Sequence, residues 1–490
     1  MLETAQAFIG ARHDLFIGGR WEASNSGQWI DVIDPATGRQ IATVPAADAR
    51  DVDLAVQAAL DALARTSRAG WKPADRTRAM WALSDAIAAN AEEFAIIETL
   101  DAGKPITNAR TVDVPGAVAA LRYFAGWAGK ISGETLTPSI PGDWQAFTVR
   151  EPVGVVAQII PWNYPLMGAV TKMAPALAAG CAIVLKPAEQ TPLSALRLAG
   201  LLDDCGFPPG IVNVVTGHGP EAGAALVAHP DVAKISFTGS TSTGRQIVRA
   251  SASSMKRLVM ELGGKSPVVV LPDADLDAAA KAIAHGIFFN SGQTCSAGSR
   301  LLAHRRIVAE LTERIVTIAR GLRLGPGLDP STQLGPLVSQ AHLERVSGFI
   351  EQARIDGATL ATGGQRKPGA GYFIEPTVLT DVHPDMPAVR QEIFGPVLCV
   401  ASFDTEDLDE IAALANATEY GLSAYVWTSC LASAHGLIRR IRAGMVKVNA
   451  GAGGDFGMPV GGFKQSGFGR ENGRIGVEAY TEVKSVMVAY

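Results

Sequence analysis

The chemistry in this sequence gathers around a few side chains, of which Cys295 is the sharpest. It stands in FFNSGQTCSAGSR, a small, polar loop after an apolar helix-like run, with Gln293, Thr294, Ser296 and Gly298 as neighbours. Most free cysteines pack among apolar side chains, so this setting argues for an accessible, nucleophilic thiol. By itself the segment fits an incidental loop cysteine better. In ELGGKSP, Glu261 ends the run RLVME just before a Gly-Gly turn. A carboxylate at the C-terminal end of a strand in an α/β fold faces the crevice where ligands bind. Beside a nucleophilic cysteine it is a candidate base, for the thiol proton or for a hydrolytic water. Asn163 lies in IIPWNYP, between two prolines that stiffen the turn. Its amide suits one half of an oxyanion hole, although a lone turn asparagine more often bonds its own backbone.

A second group of residues suits a dinucleotide. VLKPAEQTP places Lys186 at a strand end and Glu189 just beyond it, where an acid commonly binds ribose hydroxyls. FTGSTSTG follows a later strand and opens a helix. Gly239, Ser240 and Thr241 there present N–H groups and a hydroxyl at a positive helix end, which favours a pyrophosphate. The usual GxGxxG at the first βα turn is absent, so spacing alone carries the cofactor reading weakly.

The elements that must position these groups form an α/β pattern. From about residue 152 the runs VGVVAQII, CAIVLK, IVNVV and AKISF alternate with helical stretches, among them VTKMAPALAAG and PLSALRLAGLLDDCG, the latter ending at Gly206. Such alternation predicts βαβ units and parallel sheets covered on both faces. The pattern restarts at PVVVL after ELGGKSP and runs to about residue 465. Two doubly wound domains with a cleft between them are the expectation. The strands around Thr148 and in the tail TEVKSVMVA read as short, alternating and belonging to neither series. Their exposed edges are expected to meet a partner subunit.

Composition narrows the class further. The chain has 490 residues, 47% of them hydrophobic, with a net charge of −5. That length allows several packed domains, and the charge argues against a nucleic-acid partner. Residues Val153 to Thr171 carry no charge, but prolines in their middle argue against a membrane span. The start lacks a secretory signal pattern. Five cysteines without regular spacing fit a reducing cytosol. Neither HxxxH nor CxxC occurs, so no metal site is expected.

PWNYP, KPAEQTP, FTGSTSTG, ELGGKSP, GQTCSAGSR, EIFGPV and GGFKQSGFGREN follow one another in this order. Together they closely resemble the NAD(P)-dependent aldehyde dehydrogenase superfamily, from about Phe16 to Val488. The resemblance implies that Cys295 is the nucleophile, that Asn163 and the Cys295 backbone N–H form the oxyanion hole, and that Glu261 activates the hydrolytic water. Lys172 and Glu471 match a proton relay behind Glu261. Lys186 and Glu189 match adenosine-ribose contacts, Trp162, Gly239 and Ser240 the pyrophosphate site, and Glu392 with Phe394 the clamp on the nicotinamide. NAD is expected in preference to NADP, because a 2′-phosphate would face the Glu189 carboxylate.

The implied fold comprises a Rossmann-like cofactor domain (1–128 and 152–263), a catalytic domain (264–463) and a small β oligomerisation arm (129–151 and 479–490). A homodimer or homotetramer is expected. CoA-acylating members typically lack a glutamate at position 261, so the resemblance is to the hydrolytic branch. Semialdehyde dehydrogenases usually carry a pocket arginine, which Tyr164, Met167, Thr294 and Ser296 do not supply. A cofactor-independent thiol esterase would leave the cofactor motifs without purpose. Gly116, Thr171, Gly454 and Val460 stand where acetaldehyde-preferring members carry bulky side chains, which points to a wide tunnel and a bulky apolar or aromatic aldehyde.

Overall fold

Strands far apart in sequence are brought side by side, and their shared edge is where the motifs meet. The structure, a computed structural model, describes residues 2–451 and 453–490. In the first sheet Arg257–Glu261, Val232–Thr238, Val155–Ile159, Ala182–Lys186 and Val212–Val214 run parallel in that spatial order. Antiparallel strands Leu15–Ile17 and Arg20–Glu22 extend one edge. Every residue of Ala182–Lys186 is buried, as expected of a strand covered on both faces. The second sheet orders Thr359–Thr362, Thr377–Thr380, Val397–Phe403, Arg300–His304, Pro267–Val270, Ser423–Trp427 and Met445–Val448, parallel except for the first pair. The mixed α/β class with parallel sheets is therefore as expected.

Three readings need correction. PLSALRLAGLLDDCG is helical only over Leu193–Ala199. Gly200 ends the regular helix, and Leu201–Gly206 continues as turns, with Leu201 N–H donating to Leu198 O. The helix after PWNYP begins at Pro165, well before VTKMAPALAAG. Proline is favoured at a first helical position, where its missing N–H has no partner to lose. The orphan strands are not short: Trp144–Pro152 and Thr481–Ala489 pair antiparallel along nine residues each, with Thr135–Leu136 on the outer side. Residues 464–478 fall in none of the three expected domains. Gly467–Phe468 joins the first sheet antiparallel to Met260 and Glu261. A Cβ at Gly467 would lie 1.9 Å from Met260 O, so only glycine brings this strand so near.

Helix Pro165–Ala179 is anchored at its start by buried acids. Glu98 Oε1 accepts from Leu166 N–H at 2.9 Å and from Ser194 Oγ at 2.5 Å. A carboxylate suits a helix N-terminus, where N–H groups are unpaired and the dipole is positive. Lys104 balances that charge from within: its Nζ lies 2.6 Å from Asp113 and 3.5 Å from Glu98, over the ring of Tyr164. This network holds the segment carrying Asn163, Tyr164, Met167 and Lys172. Among the described residues no helix is long and apolar enough to cross a membrane.

Candidate active site

The loop that carries Cys295 is wound by an unusual backbone. Asn290, Ser291 and Gly292 all have positive φ (50°, 55° and 72°), a conformation costly for the two residues with side chains. Gly292 is pressed onto Gly395, where a Cβ would meet the carbonyl oxygen at 2.1 Å. Side chains lock the turn further. Asn290 Nδ2 donates to Asn163 O at 3.1 Å, Gln293 Nε2 donates to Asn290 O at 3.1 Å, and Gln293 Oε1 accepts from Val338 N–H at 2.9 Å. The loop is thus pre-positioned, and Cys295 remains partly open. The other cysteines are buried or, for Cys430, exposed on the surface.

Asn163 bonds the loop that carries that thiol, and Glu261 acts on the thiol electrostatically. Asn163 is buried, and its Nδ2 donates to Gln293 O at 2.9 Å. Glu261 ends its strand, and the Gly-Gly turn that follows lies against the cysteine, since a Cβ at Gly264 would be 2.4 Å from Cys295 O. Glu261 is 6% exposed, with Oε1 lacking any hydrogen-bond partner. Burial and then Glu471 hold its carboxyl well above the usual range, while Lys172 opposes them. Burial, Glu392 and Glu261 push the Cys295 thiol up to about 12. Resting thiolate is therefore disfavoured, and a proton must leave as the sulfur attacks.

Behind Glu261, Lys172 Nζ contacts Glu471 and donates to Ser236 Oγ at 3.0 Å, and Ser236 Oγ donates to Glu471 at 3.1 Å. Glu471 is placed by paired backbone bonds with Val460, 2.8 Å each way. The Gly-Gly turn is tied down by Ser466, whose Oγ donates to Gly263 O at 2.6 Å and accepts from Gly421 N–H at 2.9 Å.

The nucleotide candidates line up on the C-terminal edge of the first sheet. Lys186 Nζ is buried, donates to Pro187 O at 2.9 Å and lies 3.6 Å from the half-buried Glu189 carboxylate. Ser240 is exposed and caps helix Thr241–Ser251, its Oγ accepting from Thr243 N–H at 3.1 Å. That hydroxyl is already engaged, so the neighbouring N–H groups are what the helix end offers. A Cβ at Gly239 would strike the Phe237 ring at 2.5 Å. Across the crevice, Glu392 Oε1 accepts from Gly264 N–H at 2.8 Å, and burial lifts its carboxyl to about 7. Phe394 has φ 63° and packs edge-on against Trp162, with centroids 5.3 Å apart. Its carbonyl accepts from His342 Nε2 at 2.7 Å.

The pocket candidates are less uniform. Tyr164 Oη bonds Thr294 Oγ1 at 2.8 Å, and Ser296 O accepts from Tyr425 Oη at 2.9 Å. Thr171 Oγ1 turns back onto Met167 O at 2.8 Å. The space beside Gly116 is taken by Met167, whose sulfur would be 2.9 Å from an added Cβ. Gly454 is exposed with open space around it, and Val460 is half-buried. Ala452, in the loop AGAGGDFG, lies outside the described residues.

The sequence profile of the aldehyde dehydrogenase family matches residues 21–486. The chain belongs to the aldehyde dehydrogenase family. Members of this family are NAD(P)-dependent oxidoreductases. Phenylacetaldehyde dehydrogenase of Pseudomonas fluorescens is 44% identical, covering 98% of this chain and 96% of its own. The NAD+ complex of an aldehyde dehydrogenase from Bacillus cereus superposes with a TM-score of 0.97 at 45% identity, covering 99% and 98% of the two chains. An indole-3-acetaldehyde dehydrogenase solved with NAD+ gives 0.96 at 41% identity, covering 100% and 99%. Gln293, Asn290 and Ser466 are the site residues that sequence reasoning did not single out. Gln293 and Asn290 flank the cysteine in a segment already marked as polar, and that proximity was the available signal.

Proposed function

We propose that this aldehyde dehydrogenase oxidises a bulky apolar aldehyde, an arylacetaldehyde in particular, to its carboxylic acid with NAD+ and water. The observation that carries the reading is the partly open Cys295 thiol, in a loop that Asn163 bonds and under the influence of the buried Glu261 carboxyl. Cys295 Sγ attacks the aldehyde carbon as the thiol proton leaves to solvent water, while the Cys295 N–H and the second Nδ2 hydrogen of Asn163 receive the oxyanion. The cofactor, when bound, supplies the hydride acceptor that turns the adduct into a thioester. Glu261 then takes a proton from water as it attacks the thioester carbonyl, and passes it toward Glu471 and Lys172. Release of the acid restores the cysteine. NADH formation across an aldehyde panel, with and without CoA, tests this reading; turnover that needs CoA would refute the hydrolytic branch.

The residues fit a dinucleotide on this chain's own features. A buried ammonium with one carboxylate 3.6 Å away, a capped helix N-terminus and the Trp162–Phe394 pair edge one crevice. Within it, residues 1–128 and 152–263 would hold the cofactor and 264–463 the catalytic loop, with the paired strands of 129–151 and 479–490 mediating a homo-oligomer. NAD+ is expected to exceed NADP+ in kcat/KM, because a 2′-phosphate would meet the Glu189 carboxylate. An NADP+ value equal to that for NAD+ would remove Glu189 from this role.

Substrate size rests on the pocket and on the relatives named for arylacetaldehydes. Phe456 and Trp127 pack against the core, and a Cβ at Gly454 would meet nothing within 4 Å. Met167 narrows the space beside Gly116, but its flexible thioether adapts to a ring. Each extra buried methylene contributes about 0.8 kcal/mol, which a two-carbon aldehyde forgoes. Phenylacetaldehyde and decanal should therefore exceed acetaldehyde in kcat/KM, and Val460→Phe should lower their rates. Equal rates for acetaldehyde, or large-substrate rates unmoved by the added ring, would show a narrow tunnel.

A further inference from the structure

Lys265 follows the Gly-Gly turn, and its side chain is buried. The residue is 1% exposed, and Nζ finds no protein acceptor. Two hydroxyls share that condition, Ser266 Oγ and Ser423 Oγ, on residues 1% and 2% exposed. All three residues line one cavity of about 10 Å³, walled also by Asn416, Tyr420 and Arg442. Buried polar groups in native proteins have partners, because an unpaired hydroxyl is costly and an unpaired charge more so. Three such groups around one cavity therefore describe a ligand.

The chemistry of the wall selects the ligand's sign. Lys265 can only donate, and each hydroxyl can donate. Arg300 stands behind the wall, donating from Nε to Lys265 O at 3.3 Å and from Nη2 to Ala415 O at 2.6 Å. Lys464 does the same, donating to Thr418 O at 2.6 Å and Asn416 O at 3.1 Å. No carboxylate lines the cavity. The Glu392 carboxylate, which does act on Lys265, is engaged with Gly264 N–H instead. Burial pushes the Lys265 amine below its usual value, Cys399 and Glu392 oppose that and Arg300 adds to it, so an anion in the cavity is what would hold the ammonium form. Size then favours a small occupant over phosphate, sulfate or a carboxylate: the cavity is about 10 Å³, on the order of what a single small ligand needs. A water would satisfy the hydroxyls but leave the ammonium without a counter-charge.

We propose that this cavity is a halide site, holding one chloride ion between the Lys265 ammonium and the Ser266 and Ser423 hydroxyls. The ion neutralises the positive cluster behind the turn that carries Glu261. It binds the folded chain only, so it stabilises by mass action.

Crystals grown with bromide in place of chloride give the direct test. One anomalous peak within hydrogen-bonding distance of Nζ and both Oγ atoms is expected; density there without anomalous signal means water and overturns the proposal. In solution, Tm should rise with sodium chloride relative to sodium gluconate at equal ionic strength. That difference should vanish in Lys265→Met and shrink in Ser423→Ala. Equal Tm in the two salts, or an undiminished chloride response in both variants, also overturns it. Should Lys265→Met fail to fold, Ser423→Ala and the wild-type bromide crystal still decide.

Discussion

Cys295→Ser should lower kcat on the order of 10⁴-fold or more while leaving NAD+ binding intact. The scale is that of losing a covalent nucleophile, which no neighbouring group replaces. A hydroxyl is harder to deprotonate than a thiol, and the site already opposes anion formation here: burial, Glu392 and Glu261 together push the thiol up to about 12. Serine is close in size, and the loop is held by Asn290, Gln293 and Gly292 rather than by the sulfur, so the fold should not change. NAD+ titration followed by thermal shift should give the wild-type midpoint. Steady-state NADH formation at more than a few per cent of wild type would sink the covalent mechanism.

The parts of this protein written in local sequence were legible, and the parts written in long-range contacts were not. Continuous apolar runs bounded by turn residues gave the five parallel strands of the first sheet and Pro267–Val270 of the second, because a strand covered on both faces is apolar along its length. The Pro165 helix start was misread since proline signals a turn as readily as a first helical position. Leu201–Gly206 was misread since its apolar spacing still suits a helix, while its backbone follows turns after Gly200.

At the site, Cys295, Glu261 and Asn163 were legible as residue types in polar turns at strand or helix ends. What places them was not. The left-handed run at Asn290–Gly292 packs against Gly395, about a hundred residues away, so closely that only glycine fits at 292. Gly467 admits a strand onto Met260 only because that strand returns from the C-terminal segment. The buried Lys104–Asp113–Glu98 cluster reads from sequence as ordinary surface charge, yet it holds the helix start that follows Asn163. Such contacts join positions whose separation carries no period, so no pattern rule reaches them.

Glu261→Gln should slow steady-state turnover by about 10²–10⁴-fold, the usual share of a general base, and should leave a burst of NADH near one per active site. The two halves of the reaction ask different things of this residue. Acylation needs the thiol proton removed once, and the pre-positioned loop still presents the sulfur to the aldehyde. Deacylation needs a water made nucleophilic beside the thioester, and Gln offers no basic oxygen for that. The pH dependence separates the roles. Burial and Glu471 hold the Glu261 carboxyl well above the ordinary carboxylate range, so its active, ionised form grows as pH rises through that elevated value. Wild-type deacylation should therefore climb with pH, and the variant should lose that limb. Lys172→Met removes the cation that opposes the elevation, so the limb should move to still higher pH. Unchanged turnover in Glu261→Gln, a pH limb retained in that variant, or a limb left at the wild-type position by Lys172→Met would assign the base to another group.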